Sequence, residues 1–413
     1  MSTTGVAGAR VLLLIPAQTY RASDFLAAAH RMGLTVVVGS DGALPLGGHP
    51  VLRADPRDPE RSAGRLVSRA GPVDAVVAVD TPMLILASAV AARTGLPHNP
   101  IEAVMAATDK AAQRRRWAAT GVYQPAFRIL PAGTGEQALA SAAAGAGFPC
   151  VVKAVSLSGS RGVLRANDEA GAITAATRIR SVLAAAGRPA HEPLIVEEYV
   201  PGWEVSVDGL LNDGSLAVTA VFDKPDTPEG PTFEETLLVT PSRLPGQVLA
   251  AVLATAGRAA RALGLRHGPI HAELRIDTRQ GRQAPAMLEL AARPIGGLCA
   301  RALRFTGGVS LEEMVLAAAL GHHPATPHLG RPSGVLMLHA EQAGTLRAVD
   351  GKAEAAAVPG ITGLTITIPV GQRVRPLPDG DRYLGFIFAE GDTPEETAAA
   401  LRAARNRLHI TIR

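Results

Sequence analysis

The sequence predicts an α/β protein of more than one domain, with α+β lobes following a parallel-sheet start. Short apolar runs alternate with helical patterns over residues 11–97, and 413 residues are too many for one small core. Carboxylates also recur inside apolar, strand-like runs of the second half, where burial is expensive unless something neutralises them.

The composition, 47% hydrophobic and 19% charged, is that of an ordinary globular chain. A scattered net charge of +4 and only 3% aromatic residues offer a nucleic acid little charge and few stacking platforms, so no nucleic-acid partner is expected. Two cysteines, Cys150 and Cys299, form neither a disulfide framework nor a metal spacing. The apolar run at 11–15 is too short for a signal peptide and reads as a buried strand. No run approaches the ~20 apolar residues of a membrane span, and a cytoplasmic location is expected.

VLLLI (11–15), LTVVVGSD (34–41) and VDAVVAVD (73–80) read as strands, with helices at 25–32, 61–69 and 83–93, so βαβ units fill a first domain, 1–100. The turn PAQTY lacks G-x-G-x-x-G, which argues against a dinucleotide there. After GLPHNP (95–100), one long helix containing ATDKAAQRRRWAAT is expected to stop at Gly121. A second domain, 101–330, follows. Its first strands are QPAFRIL, VVKAV, RGVLRA and PLIVEEYV, and the helix after RGVLRA is capped by Asn167. EVSVDGLLNDGSLAVTAVF turns at Asn212-Asp213-Gly214, and the loop 223–236 is too rich in proline and charge for a strand. A helix at 248–263, the strands GPIHAELRID and APAMLELAARP, and a helix at 311–320 complete this domain. HHPATPHLGRPSG (322–334) is a linker, and its histidines read as a solvated loop, not a zinc site. A strand-rich segment, 331–413, closes with a helix at 394–405.

Neither G-x-x-x-x-G-K-[ST] nor G-x-S-x-G occurs. The groups present suit a nucleotide and its metals. Lys110 and Lys153 are cations on separate elements, and the loop 156–162 is small enough to fold over phosphates and donate backbone N–H groups. Taken alone, each lysine reads as surface decoration, and a plain hairpin turn is the alternative for the loop. Glu197-Glu198-Tyr199-Val200 can supply an acceptor, an N–H and an apolar slot for adenine, and Glu204 can accept from ribose hydroxyls; a strand with exposed acids is the plain alternative. Glu273 and Glu289 lie on successive apolar strands and suit magnesium, unless alternation turns both to solvent. Arg293, four residues on, offers a planar fork to a carboxylate or acyl phosphate. His271 shares a strand face with Glu273, as a cleft residue or a structural histidine.

In order and spacing, Lys110, VVKAVSLSGSRGV, VEEYVPGWE, HAELRI and LELAARPIGG resemble the ATP-grasp fold, with 1–100 as the pre-ATP-grasp domain, 101–330 as the ATP-grasp domain with a mobile lid lobe at about 122–200, and 331–413 completing the grasp. The nearest likeness is to carboxylate–amine ligases that join L-amino acids into dipeptides, often in antibiotic pathways. The resemblance implies ATP with two Mg2+ ions, replaceable by Mn2+. It also implies small amino-acid substrates, no membrane partner, and a homodimer as the assembly it allows. Arg293, Lys153 and Ser160 would serve the chemistry, and Lys110, Ser158, Gly159, Ser160 and Gly162 the phosphates. Glu235, with Glu234 beside it, would face a substrate amino group, or lie in a solvated loop. His271, Arg293, Gly296 and Gly297 would line the substrate end. The family's asparagine two residues after the second metal glutamate is here Ala291, which reduces the protein ligands for one ion. A carboxylase or purine-pathway ligase of the same fold, and a nucleotide-binding protein without catalysis, are the other readings.

Overall fold

The computed structural model describes residues 6–43, 51–323 and 328–413. The opening Met1 to Gly5 and residues 324–327 of the expected linker lie outside the described residues.

The first sheet is parallel, in the order β3-β2-β1-β4: β1 (Arg10–Leu14), β2 (Thr35–Ser40), β3 (Val51–Arg53) and β4 (Ala75–Ala78). Helices α1 (Ala22–Arg31), α2 (Pro59–Ala70) and α3 (Leu84–Thr94) cover it. Strand alternation sends Leu12 and Leu14 against Leu66 of α2 and Leu86 of α3, and Val11 and Leu13 towards Phe25 of α1. The continuous apolar run of β1 is therefore a strand buried on both faces.

The expected long helix is two. α4 (Ile101–Ala107) ends at Thr108, and Asp109 caps α5 (Lys110–Thr120) by accepting from the Ala112 N–H at 2.8 Å. An aspartate that bonds the backbone ahead of it restarts a helix more readily than it continues one. The break puts Lys110 in the first turn of α5.

The next lobe contains β5 (Phe127–Leu130), α6 (Glu136–Ala146), β6 (Cys150–Ala154), β7 (Val163–Ala166), α7 (Glu169–Ala185) and β8 (Leu194–Glu198). Its antiparallel sheet runs β5-β8-β6-β7, and it has its own core of Leu139, Val152, Ile179, Leu183 and Val196. Asp168, not Asn167, caps α7, accepting from the Gly171 N–H at 2.7 Å; Asn167 instead accepts from Arg165.

The remaining elements are β9 (Glu204–Asn212), β10 (Ser215–Asp223), β11 (Leu237–Thr240), α8 (Gly246–Ala262), β12 (Gly268–Asp277), β13 (Ala284–Ala291) and α9 (Leu311–Ala319). Beyond them lie β14 (Ser333–Leu338), β15 (Gly344–Asp350), α10 (Lys352–Ala356), β16 (Ile361–Ile366), β17 (Arg373–Val374), β18 (Gly385–Glu390), α11 (Pro394–Arg405) and β19 (His409–Ile412). Eight strands form one sheet, β13-β12-β9-β10-β11-β14-β18-β16, which crosses residue 331 without interruption because β11 pairs with β14. A small sheet, β17-β15-β19, lies beyond it. Met314 and Leu316 of α9 share a core with Val11, Leu13 and Phe25, so the first sheet packs against the large one through apolar side chains.

Candidate active site

Lobe, large sheet and first domain meet around a cavity of about 630 Å³, a size suited to a small-molecule site. All the residues expected from sequence to form the site line it except Gly162 and Glu234, the neighbour of Glu235. Gly162 stands at the base of the loop, at φ 63°, where a Cβ would sit 3.0 Å from both Ala154 Cβ and Leu157 Cδ1.

β6 delivers Lys153 to the cavity wall. Its Nζ lies 2.7 Å from Glu197 Oε2 on the neighbouring β8, and Arg114 Nε lies 2.6 Å from Glu197 Oε1. Burial alone would raise the Glu197 carboxyl, but these two cations outweigh it and hold the group down at about 2. Burial draws Lys153 below its ordinary range, only partly countered by Glu197. The Glu197 carboxylate is thus an anchor that fixes the lysine. Glu198 is likewise committed, accepting from the Ala126 N–H at 3.0 Å and from Arg279 at 2.7 Å. Tyr199 and Val200 line the cavity beside the two glutamates.

The loop between β6 and β7 holds its turn through Gly159 (φ 65°) and Ser160 (φ 58°). Among the described residues, no backbone or side-chain acceptor takes the N–H groups of residues 158–161. At its base Ser156 donates to the buried Glu192 at 2.8 Å and accepts from Arg188. A firm base with uncommitted donors at the tip suits an anion.

Glu273 on β12 and Glu289 on β13 are direct cross-strand partners, with side chains 27% and 32% exposed. Like charges placed opposite one another repel. Lysines offset them: Lys110 Nζ is 3.1 Å from Glu289, and Lys224 Nζ is 3.9 Å from Glu273. Burial would raise the Glu273 carboxyl, yet Lys224 and His271 hold it well below the carboxylate range. Paired hard oxygens of this kind fit magnesium, and Ala291, opposite His271 in the ladder, adds none.

Lys224 was not anticipated. It is nearly inaccessible, lies 2.6 Å from Glu204 Oε1 and pairs with Glu235. Burial disfavours its charge, but Glu204, Glu235 and Glu273 raise it well above the lysine range. Oxygens of those three glutamates lie within 4.8 Å of one another. Arg275 Nε takes the other Glu204 oxygen at 2.8 Å, so any ribose role for Glu204 uses its remaining lone pairs. Arg275 shares Glu273's strand face, a signal the alternation carried. Lys224 opens a polar loop and gave no such signal.

Nδ1 of the buried His271 lies 3.0 Å from Asp208, whose other oxygen accepts from the Ile295 N–H at 2.9 Å. Burial lowers the imidazole, but Asp208 outweighs it and raises it to about 9. His271 therefore ties β12 and β9 to the turn carrying Gly296 and Gly297. From the first domain, Thr19, Tyr20, Asp80 and Thr81 reach the same end, as does Tyr383 just before β18. Helical and strand periodicity mark these positions only as element ends.

These parts define a class of site: a loop with uncommitted N–H groups and two lysines above opposed carboxylates, with an arginine at the far end. Residues 146–302 match the ATP-grasp domain family, and residues 336–413 match L-amino acid ligase C-terminal domain 2. Carnosine synthase 1 of Gallus gallus is 36% identical over 159 residues, 37% of this chain and 16% of that protein. A D-alanine–D-alanine ligase of Gloeobacter violaceus is 30% identical over 54% of this chain and 72% of its own length. The solved L-amino acid ligase of Bacillus licheniformis superposes with a TM-score of 0.79 at 23% identity, covering 97% of this chain and 98% of that one. The chain belongs to the ATP-grasp family of carboxylate–amine ligases. It covers only a small part of the carnosine synthase, and no described helix is long and apolar enough to cross a membrane.

Proposed function

We propose that the protein is an ATP-dependent, ADP-forming ligase that joins two amino acids through an acyl phosphate, in natural-product biosynthesis. The observation that carries the reading is the opposed pair Glu273 and Glu289, flanked by Lys110 and Lys224 in a cavity under an N–H-rich loop. Glu273 and Glu289 would hold magnesium, which supplies charge neutralisation on the phosphates. Lys153 and Lys110 offset charge on the transferred group, and Ser158, Gly159 and Ser160 donate N–H groups to it. A substrate carboxylate oxygen attacks the γ-phosphorus, the bond to ADP breaks, and an acyl phosphate forms. The second substrate's amino nitrogen then attacks the acyl carbon, phosphate leaves, and the amine loses its proton to solvent. Arg293 holds the carboxylate, and closure of the lobe at 122–200 excludes water.

The ligase chemistry named for the relatives, with the match to an amino acid ligase C-terminal domain, supports amino-acid substrates. Screening amino-acid pairs for ADP and phosphate release, with mass analysis of products, tests the reading. Turnover that needs a pair supports it; ATP use indifferent to amino acids, or none with any pair, refutes it. Glu235→Ala is expected to raise KM for one amino acid only, because one substrate's ammonium meets that carboxylate. Unchanged saturation by both would retire that role.

A further inference from the structure

Arg293 is held from outside the grasp. Its Nε donates to Thr81 Oγ1 at 3.1 Å and its Nη1 to the Pro294 carbonyl at 2.8 Å. Nη2 has no protein partner among the described residues, and the side chain lines the cavity. The fork is therefore fixed along one edge and open at one corner. Behind Thr81 stands Asp80, at the end of the first domain's sheet. One Asp80 oxygen accepts from the Thr81 N–H at 3.0 Å and lies 3.1 Å from Arg21 Nη2 and 3.7 Å from Arg293 Nε. The other accepts from Thr19 Oγ1 at 3.3 Å. Arg21 is sealed from solvent, and its Nη1 bonds the Pro294 and Ile295 carbonyls of the turn that follows Arg293.

We infer that Asp80 and Thr81 are positioning residues that aim Arg293 at a substrate carboxylate, making the first domain part of the substrate site. The inference rests on the ligase reading for what Arg293 binds, but not for how Arg293 is held. Two guanidinium groups share one carboxylate, so removing its charge leaves Arg21 buried beside Arg293 with no anion between them. Arg21 cannot leave, being bonded to two buried carbonyls. Arg293, with an open corner on the cavity, is the group that moves. Thr81 then holds the Nε edge of the fork, and together with the Pro294 carbonyl on Nη1 it sets the direction in which the open Nη2 corner points.

The test uses Asp80→Asn and, in case that variant folds poorly, Thr81→Val, which removes one hydroxyl and no charge. For an amino-acid pair active with the unaltered protein, both variants should raise KM for the carboxylate-donating amino acid roughly tenfold to a hundredfold, the loss of about one charge-assisted hydrogen bond. KM for ATP should stay within about twofold, and Thr81→Ser should restore the original value. A crystal structure of each variant should show the Arg293 guanidinium displaced from the cavity wall. An unmoved guanidinium with unchanged KM overturns the inference. Displacement seen in crystals while no pair is turned over leaves the positioning role standing and refutes the ligase reading instead.

Discussion

Glu197 shows how much a single side chain organises. It was read from sequence as part of an adenine-facing segment, yet its carboxylate is buried between Lys153 and Arg114 and anchors the lysine at the cavity wall. Only the three-dimensional pairing of β6 with β8 reveals this, because a carboxylate beside a nucleotide and one beneath a lysine look alike in a one-dimensional string. Glu197→Gln should destabilise the protein by ~3–5 kcal/mol, the usual consequence of leaving buried cations without their partner; equilibrium urea unfolding measures it. The same anchor sets an acid limit. Folding holds this carboxyl at about 2 against an ordinary 4.5, so its contribution is fully present above about pH 4.5 and is lost as pH falls through about 2. Denaturant midpoints followed from pH 6 to pH 2 should therefore fall for the unaltered protein and be flatter for Glu197→Gln.

Among the elements, the strands that position the site were the most legible. HAELRI alternates cleanly, and Glu273 and Glu289 emerge as cross-strand neighbours, although the ladder shifts register immediately after that pair, which alternation alone did not foretell. What the pattern could not convey was the break at Asp109, the short β3, and the small helix α10 inside a segment read as strands. Short polar elements leave almost no periodicity to read. The link between lobe and large sheet turns on Gly202, at φ 114°, where a Cβ would stand 1.9 Å from the Ile276 carbonyl oxygen. Since that neighbour is backbone of β12, it has nowhere to go. Gly202→Ala should cost roughly 3 kcal/mol or more and lower ATP affinity, as β8 and β9 splay. Calorimetric Tm and nucleotide titration are the readouts, and an unperturbed Tm would show that the link is softer than its geometry.

For the molecule as a whole, the ordered set of motifs carried the fold, while the site's far wall escaped notice because its residues come from three separate parts of the chain. Thr19, Asp80 and Tyr383 are far apart in sequence and share no spacing, and they are brought together by the packing of α9 between the first sheet and the large one and by direct contacts of Tyr20 and Arg21 across the domains. The binding site thus depends on the assembled domains. Glu289→Gln should abolish turnover while leaving Tm within a few degrees, because a partly exposed carboxylate paired with one lysine contributes little to stability. The most direct test is a crystal structure with Mg2+ and ADP. The diphosphate should lie between Lys153, Lys110 and the N–H groups of residues 158–160, with the ion bonded to oxygens of both Glu273 and Glu289. A nucleotide seated elsewhere, or an ion that touches neither glutamate, would contradict the account.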